Sequence, residues 1–325
     1  MSDRADALVY TAPGQAQIQA INLPAMASGM VEVETLFSGV SRGTERLVFE
    51  GRVPESEWQR MRAPFQTGDF PFPVRYGYAS VGRVIQGPDR VMGQTVFCLH
   101  PHQTRFRVPV DAIVPVPARV PASRAVLAAN METALNAVWD ADPKPGSRCL
   151  VVGAGLVGAL IALILAQWED LSVAVTDKRA LSVVKWADVD VNSVTPDAVP
   201  QGSFDIAFHT SASAKGLETA LDALAFEGRV IELSWYGDHA VPVPLGGSFH
   251  ANRLQIISSQ VGHVAARRRA STSHSERLMR ALSMLDDPIL DALITNQVAF
   301  HDLPDRLPDL LAPDADGIAT RVSFS

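Results

Sequence analysis

The stretch Cys149-Leu-Val-Val-Gly153-Ala-Gly155-Leu-Val-Gly158-Ala-Leu-Ile-Ala-Leu-Ile-Leu-Ala166 decides how this chain folds. It carries no charged side chain and reaches the lower length limit of a membrane-spanning helix. Three glycines within six residues would weaken such a helix near its middle, and no aromatic belt flanks the run. The reading that satisfies both facts is a buried strand over Arg148–Val152, a glycine turn, and an apolar helix over Leu156–Trp168 of a soluble protein. In that setting Gly153-Ala-Gly155-Leu-Val-Gly158 is a G-x-G-x-x-G turn between strand and helix. Gly153 permits the tight turn, Gly155 lets the backbone approach a pyrophosphate, and Gly158 lets helix and sheet pack closely. The helix N-terminus at Leu156 and Val157 offers amides and partial positive charge to phosphates.

Asp177 follows Gly158 by 19 residues, at the end of the next strand (Leu171–Thr176), where a carboxylate can accept from the ribose hydroxyls of an adenosine. A carboxylate there repels a 2′-phosphate and favours NAD over NADP. Lys178 and Arg179, which follow at once, pull the other way by offering charge to such a phosphate.

Outward from this core, the chain of 325 residues exceeds one ordinary domain. Apolar residues make up 47% and charged ones 19%, which excludes a disordered chain and implies large buried contacts. A net charge of −7 argues against binding nucleic-acid backbones. Two cysteines, Cys98 and Cys149, cannot build a disulfide framework and suit a reducing, cytoplasmic setting; the N-terminal MSDRADALVY has no signal-peptide pattern.

The first part reads as β-rich, with strands at Val31–Thr35, Thr95–Leu99 and Arg105–Val108. The irregular stretch from Pro54 to Pro73 suits a lid, and Pro115, Pro117 and Pro121 mark a connection. Beyond it strands and helices alternate: strands at Phe204–Phe208, Arg229–Ser234 and Leu254–Ser259, and a helix at Lys215–Phe226 closed by Gly228. This alternation implies a doubly wound parallel sheet. A helix over Ser275–Leu285 and a strand over Ala319–Phe324 close the chain, and Arg267–Arg269 reads as a solvated helix face. His209-Thr210-Ser211 and Ser234-Trp235-Tyr236 both follow strands, at the carboxyl edge where such sheets bind ligands.

A β-rich part, then a G-x-G-x-x-G domain, then a short returning segment resemble the medium-chain dehydrogenase/reductase family. The resemblance implies a GroES-like catalytic domain over 1–130 and 263–325 and a Rossmann domain over 131–262. It also implies a nicotinamide cofactor in the cleft between them, with Gly153, Gly155, Leu156, Val157, Gly158, Asp177, Lys178, Thr210, Ser211, Ser234 and Trp235 as its contacts. In zinc-dependent members an early Gly-Ile-Cys motif supplies a ligand and a relay hydroxyl, and a Gly-His-Glu motif supplies the next ligand. Here the corresponding stretches are Gly39-Val40-Ser41-Arg42-Gly43-Thr44-Glu45 and Gly77-Tyr78-Ala79, so Ser41 and Tyr78 stand at ligand positions. Ser, Tyr and Ala are poor zinc ligands, and the chain is closest to a zinc-lacking branch that keeps Ser-Arg-Gly-Thr-Glu and Leu-His-Pro-His-Gln.

No zinc is expected. Cys98, His100 and His102 alternate as strand residues on one face would, but Pro101 interrupts them; they are open to three readings, a metal cluster, buried core, or His100 as a proton donor. By resemblance, Thr44 is a relay hydroxyl, Tyr78 points into the active site, Glu132 and Thr133 lie beside the nicotinamide, and Arg42 pairs with the pyrophosphate. The expected activity is zinc-independent reduction of a carbonyl or conjugated C=C, or oxidation of an alcohol; the alternative is a catalytically idle dinucleotide-binding subunit. A homodimer through the edge strand Leu254–Ile257 is expected, with a small-molecule substrate and neither nucleic acid nor membrane as partner.

Overall fold

The structure is a computed structural model and describes residues 3–179 and 184–324. Its contacts fall into two compact units, one of Met1–Ala129 with Leu278–Ser325 and one of Asn130–Arg277.

The first unit opens with the antiparallel pair β1 (Arg4–Ala12) and β2 (Gln15–Asn22), extended by two-residue strands at Val74–Arg75 and Thr67–Gly68. Then come β3 (Met30–Val40), the short helix α1 (Arg42–Phe49), β4 (Ser80–Gln86), β5 (Thr95–Cys98), β6 (Arg105–Pro109) and β7 (Ile113–Pro115). The period-2 pattern of β3 does its work here: Val31 and Val33 bury against Val84, Val96, Phe106 and Val108. Glu32, between them, is also fully buried, because Arg105 Nη1 and Arg107 Nε donate to its two oxygens at 2.8 and 2.7 Å. In the stretch from Pro54 to Pro73, Phe70 is 3% exposed and packs on Tyr76, so that end of it belongs to the core.

The second unit follows helix α2 (Ala128–Ala141) with β8 (Arg148–Val152), α3 (Leu156–Leu165), β9 (Ser172–Thr176), β10 (Val191–Val194), β11 (Phe204–His209), α4 (Ala214–Ala223), β12 (Leu224–Glu232) and β13 (Gln255–Ser258). All six strands are parallel, in the order β10-β9-β8-β11-β12-β13. The order reverses between β8 and β11, the place beyond whose carboxyl ends sheets of this kind bind ligands. Helix α3 is buried from Gly158 to Leu165, which explains its uncharged sequence without a membrane. No helix among the described residues is long and apolar enough to cross one. The chain closes through α5 (His274–Ser283), β14 (Ile294–Ala299), α6 (Leu303–Leu310) and β15 (Ala319–Ser323), the last two strands joining a sheet of order β14-β15-β3-β4-β5-β7 in the first unit.

Three details differ from the sequence reading. Gly228 does not close a helix: α4 stops at Ala223, and residue 228 lies inside β12, where a Cβ would come within 2.9 Å of the Ala225 carbonyl oxygen. Residues 263–277 cluster with the second unit, because Arg277 donates to Glu132, to Asn136 and to the carbonyls of Val261 and His263. The basic run at 267–269 forms turns instead of a helix face: Arg267 pairs with Asp142 at 2.6 Å, and the guanidinium of Arg268 lies over the ring of Trp139.

Candidate functional site

The glycine turn of the second unit joins β8 to α3. Gly153 sits at φ +103°, where a side chain is strained, and a Cβ there would come within 2.9 Å of Ser211 N and Thr210 Oγ1. A Cβ on Gly158 would collide with the Gly153 carbonyl oxygen. Gly155 is different. Its φ of −65° suits any residue, and a Cβ there would meet nothing within 4 Å. Packing does not ask for glycine at that position, whereas close approach of an outside group does. Gly155, Leu156 and Val157 are half-exposed at the start of α3, whose first amides have no partner within the helix.

Asp177 leans back onto this turn. One carboxylate oxygen accepts from Ala154 N at 2.7 Å, and the other from Arg179 N at 2.8 Å and Arg179 Nε at 3.3 Å. The carboxylate thus fixes the turn and holds the Arg179 guanidinium at the same rim. Lys178 is exposed beside it.

The carboxyl ends of β11 and β12 carry a second polar cluster. Thr210 Oγ1 donates to the Gly153 carbonyl at 2.7 Å. His209, fully buried, bonds Glu232 Oε2 through Nδ1 and Ser211 Oγ through Nε2, both at 2.7 Å. Ser234 N donates to Glu232 Oε1 at 2.8 Å, and Ser234 Oγ accepts from Ala212 N at 3.1 Å. Trp235 follows, half-exposed. The sequence brings Thr210, Ser211 and Ser234 to this edge by strand position. The link through His209 and Glu232 carries no local signal.

In the first unit, Tyr78 and the start of α1 form a hydroxyl cluster. Tyr78 Oη donates to Ser41 Oγ at 2.5 Å and is hydrogen-bonded to Thr44. Burial pushes the phenol up to about 12, against the smaller lowering effect of its bonds to Ser41 and Thr44. Beneath it lies a sealed network that sequence reasoning missed. Glu45 is fully buried and accepts from Ser41 N at 2.7 Å, Tyr10 Oη at 2.8 Å and His102 Nε2 at 2.9 Å, and His102 Nδ1 meets Ser38 Oγ at 2.6 Å. Burial alone would raise the Glu45 carboxyl, but His102 and the two further donors outweigh it and hold it below the usual range. Gly77, at φ +125°, makes room for the His102 ring, since a Cβ there would approach the ring to 2.9 Å.

No protein-family profile matches the chain. Among curated proteins it is 25% identical over 286 residues to a D-guloside 3-dehydrogenase of Escherichia coli K12, covering 78% of this chain and 80% of that protein. It is 27% identical over 205 residues to a (R,R)-butanediol dehydrogenase of Saccharomyces cerevisiae, covering 58% of this chain and 51% of that protein. The chain thus spans about half the length of the second and four-fifths of the first. Among solved structures, an alcohol dehydrogenase of Escherichia coli CFT073 complexed with NADH superposes with a TM-score of 0.77, covering 99% of this chain and 100% of that one at 14% identity. The chain has the fold of that solved dehydrogenase and is similar in sequence to the two curated ones.

Among its described residues the first unit gathers no donor set for a zinc centre. The two positions that the resemblance gives to zinc ligands hold Ser41 and Tyr78, which are bonded to each other. Cys98 is buried in β5, with its thiol pushed up to about 12 by desolvation. His100 is stacked on Phe106 with ring centroids 4.1 Å apart and on Phe65 at 5.7 Å, its Nδ1 near the Pro101 carbonyl. His102 belongs to Glu45. Among the described residues no three His, Cys, Asp or Glu groups converge as metal ligands. These residues do not fit a catalytic zinc.

Three expected site residues have partners within the fold. Burial pushes His100 down to about 3, which disfavours the charged form of the ring that stacks on Phe65 and Phe106. Glu132 is no free acid: Oε1 accepts from Arg277 Nε at 3.0 Å in a buried ion pair, although desolvation raises its pKa on balance. The Arg42 guanidinium donates to the carbonyls of Ala315 and Gly317, fastening α1 to the C-terminal segment; this replaces the pyrophosphate contact inferred for it. Thr133 is half-exposed on α2, one residue after Glu132.

Proposed function

We propose that the chain is a nicotinamide-dinucleotide-dependent oxidoreductase that interconverts a secondary alcohol and a ketone on a small, vicinally hydroxylated substrate. The observation that carries the reading is Gly155, an unstrained glycine with open space before it, in a turn braced by Asp177. Gly153, Gly155, Gly158 and the first amides of α3 would hold the pyrophosphate, Asp177 a ribose, and Thr210, Ser211, Ser234 and Trp235 the neighbouring edge. NAD is favoured by the carboxylate of Asp177, while Arg179 keeps NADP within reach. Bound there, the dinucleotide supplies the hydride donor or acceptor.

The first unit supplies the proton. Tyr78 is protonated at neutral pH as any tyrosine is, and the burial that pushes its phenol up to about 12 makes it a hydrogen-bond donor more than a strong acid. It is therefore a donor to an oxygen on which charge develops during ketone reduction, the task the zinc-dependent members give to a metal. Ser41 and Thr44 orient its hydroxyl, and Glu45 anchors Ser41 through the backbone. No metal enters this scheme. The substrate class rests on the relatives, which are named for a butanediol and a guloside. An edge strand supports the proposal of a homodimer: β13 ends the sheet order with Ile256 36% exposed, a surface that suits pairing with a second copy of the chain.

The test is NADH- and NADPH-dependent reduction of acetoin and of keto sugars by the wild type and Tyr78→Phe. The variant should lose roughly 10- to 100-fold in kcat with KM nearly unchanged. Full activity in Tyr78→Phe would remove the phenol from the reaction, and binding without turnover on any ketone would favour the idle dinucleotide-binding alternative.

A further inference from the structure

Among the described residues two serine–histidine–glutamate chains differ in access. In the first unit Ser38, His102 and Glu45 are all sealed, so no outside molecule reaches Ser38. In the second unit the histidine is sealed and the serine is not. His209 is fully buried, its Nδ1 lies 2.7 Å from Glu232 Oε2, and its Nε2 lies 2.7 Å from the hydroxyl of the exposed Ser211. A carboxylate that accepts from Nδ1 fixes the tautomer with a bare Nε2, which then accepts the serine proton. Glu232 is itself held by Ser234 N at 2.8 Å and approached by Tyr236 Oη at 3.4 Å.

The backbone presents Ser211 as a nucleophile needs to be presented. Strand β11 ends at His209, α4 starts at Ala214, and the connection turns sharply through Ala212 at φ +48°, a left-handed conformation that alanine rarely adopts. Such a tight strand-to-helix turn is how a serine is displayed above a parallel sheet. Ser211 Oγ rests against the first turn of α4, since a Cβ on Gly216 would collide with it and would lie 2.9 Å from His209 Nε2. Partial positive charge at a helix N-terminus stabilises an oxyanion formed there. Ser213 Oγ, which accepts from Gly216 N at 3.1 Å, lies 3.0 Å from Ser211 Oγ and completes the chain of hydroxyls.

We infer that Ser211, His209 and Glu232 form a hydrolytic site for small acyl esters, an activity beyond the dehydrogenase reading that shares Ser211 with the edge proposed for the dinucleotide. Ser211 Oγ attacks the ester carbonyl carbon while its proton passes to His209 Nε2. The carbon–oxygen bond to the alcohol breaks, and that alcohol leaves with the proton from His209. Water then attacks the acyl-serine, giving its proton to His209, and Ser211 is released with the proton returned as the carboxylic acid departs. The sum is ester plus water to acid plus alcohol, with no change of oxidation state.

The test uses the full chain without any nicotinamide nucleotide, so its outcome does not depend on the dinucleotide reading. Hydrolysis of 4-nitrophenyl acetate should be saturable and should fall at least roughly tenfold in Ser211→Ala. The urea midpoint of the variant is measured beside it, because the change also removes the partner of His209 Nε2. As a measurement that needs no variant, a fluorophosphonate should label the wild type once, and peptide mapping should place the label on Ser211. Hydrolysis at the wild-type rate in Ser211→Ala, or no fluorophosphonate adduct on Ser211, overturns the proposal.

Discussion

Replacing Glu45 with Gln tests whether the sealed network organises the first unit. The carboxylate receives three donors: Ser41 N on one oxygen, and Tyr10 Oη and His102 Nε2 on the other, at 2.7 to 2.9 Å. An amide has one oxygen and one NH2 group. Whichever way it turns, the NH2 faces at least one of these donors, and the remaining bonds lose their charge assistance. A buried donor left unpaired costs about 1–3 kcal/mol, and weakening the surviving charge-assisted bonds adds to that. The expected destabilisation of Glu45→Gln is therefore about 3 kcal/mol, read from the midpoint and slope of urea unfolding. The pH dependence should change with it. Because Glu45 has a lowered folded-state pKa, its contribution is present above the unfolded carboxyl value of 4.5 and is lost as pH falls through the folded value. Wild-type protein should lose more stability than Glu45→Gln on acidification through that window. A variant less than about 1 kcal/mol below wild type, with the same acid sensitivity, would refute the network as an organiser.

Two further outcomes follow from the two units taken separately. Asp177→Ser removes both a ribose acceptor and the brace on Ala154 N, so NADH affinity should fall about tenfold or more while NADPH loses less; equal losses measured by fluorescence titration would deny Asp177 a role in discrimination. Purified protein should carry well under one zinc per chain by elemental analysis, and chelators should leave its stability and turnover unchanged; stoichiometric zinc would reopen the assignment of Ser41 and Tyr78.

The strand, glycine turn and helix from Arg148 to Leu165 were legible in the sequence because their parts are local. Gly153, Gly155 and Gly158 sit in one turn, and Asp177 follows one strand later. The parallel sheet could be read from the same alternation of strand and helix. What resisted reading was built from distant partners. Glu45 and His102 lie 57 positions apart, Glu132 and Arg277 145 apart, and Arg42 and Ala315 273 apart. For Glu132 and Arg42 the family resemblance supplied roles, but the partner that occupies each side chain comes from a segment no local pattern identifies. His100 failed for a related reason: its two aromatic neighbours, Phe65 and Phe106, flank it from other parts of the chain. Gly228 misled because glycine ends helices often, whereas here it relieves crowding inside a strand.

The most direct test of the central claim is NADH binding to the wild type and to Gly155→Val. The backbone at Gly155, with φ −65° and ψ −175°, accommodates valine, and a Cβ there meets no protein atom within 4 Å. The variant should therefore unfold at the wild-type urea midpoint, while its side chain fills the space reserved for the pyrophosphate. Isothermal titration should give saturable, one-site NADH binding to the wild type and a loss of at least roughly 100-fold in Gly155→Val. Unchanged NADH affinity in a normally folded Gly155→Val, or no binding by the wild type, would contradict the account.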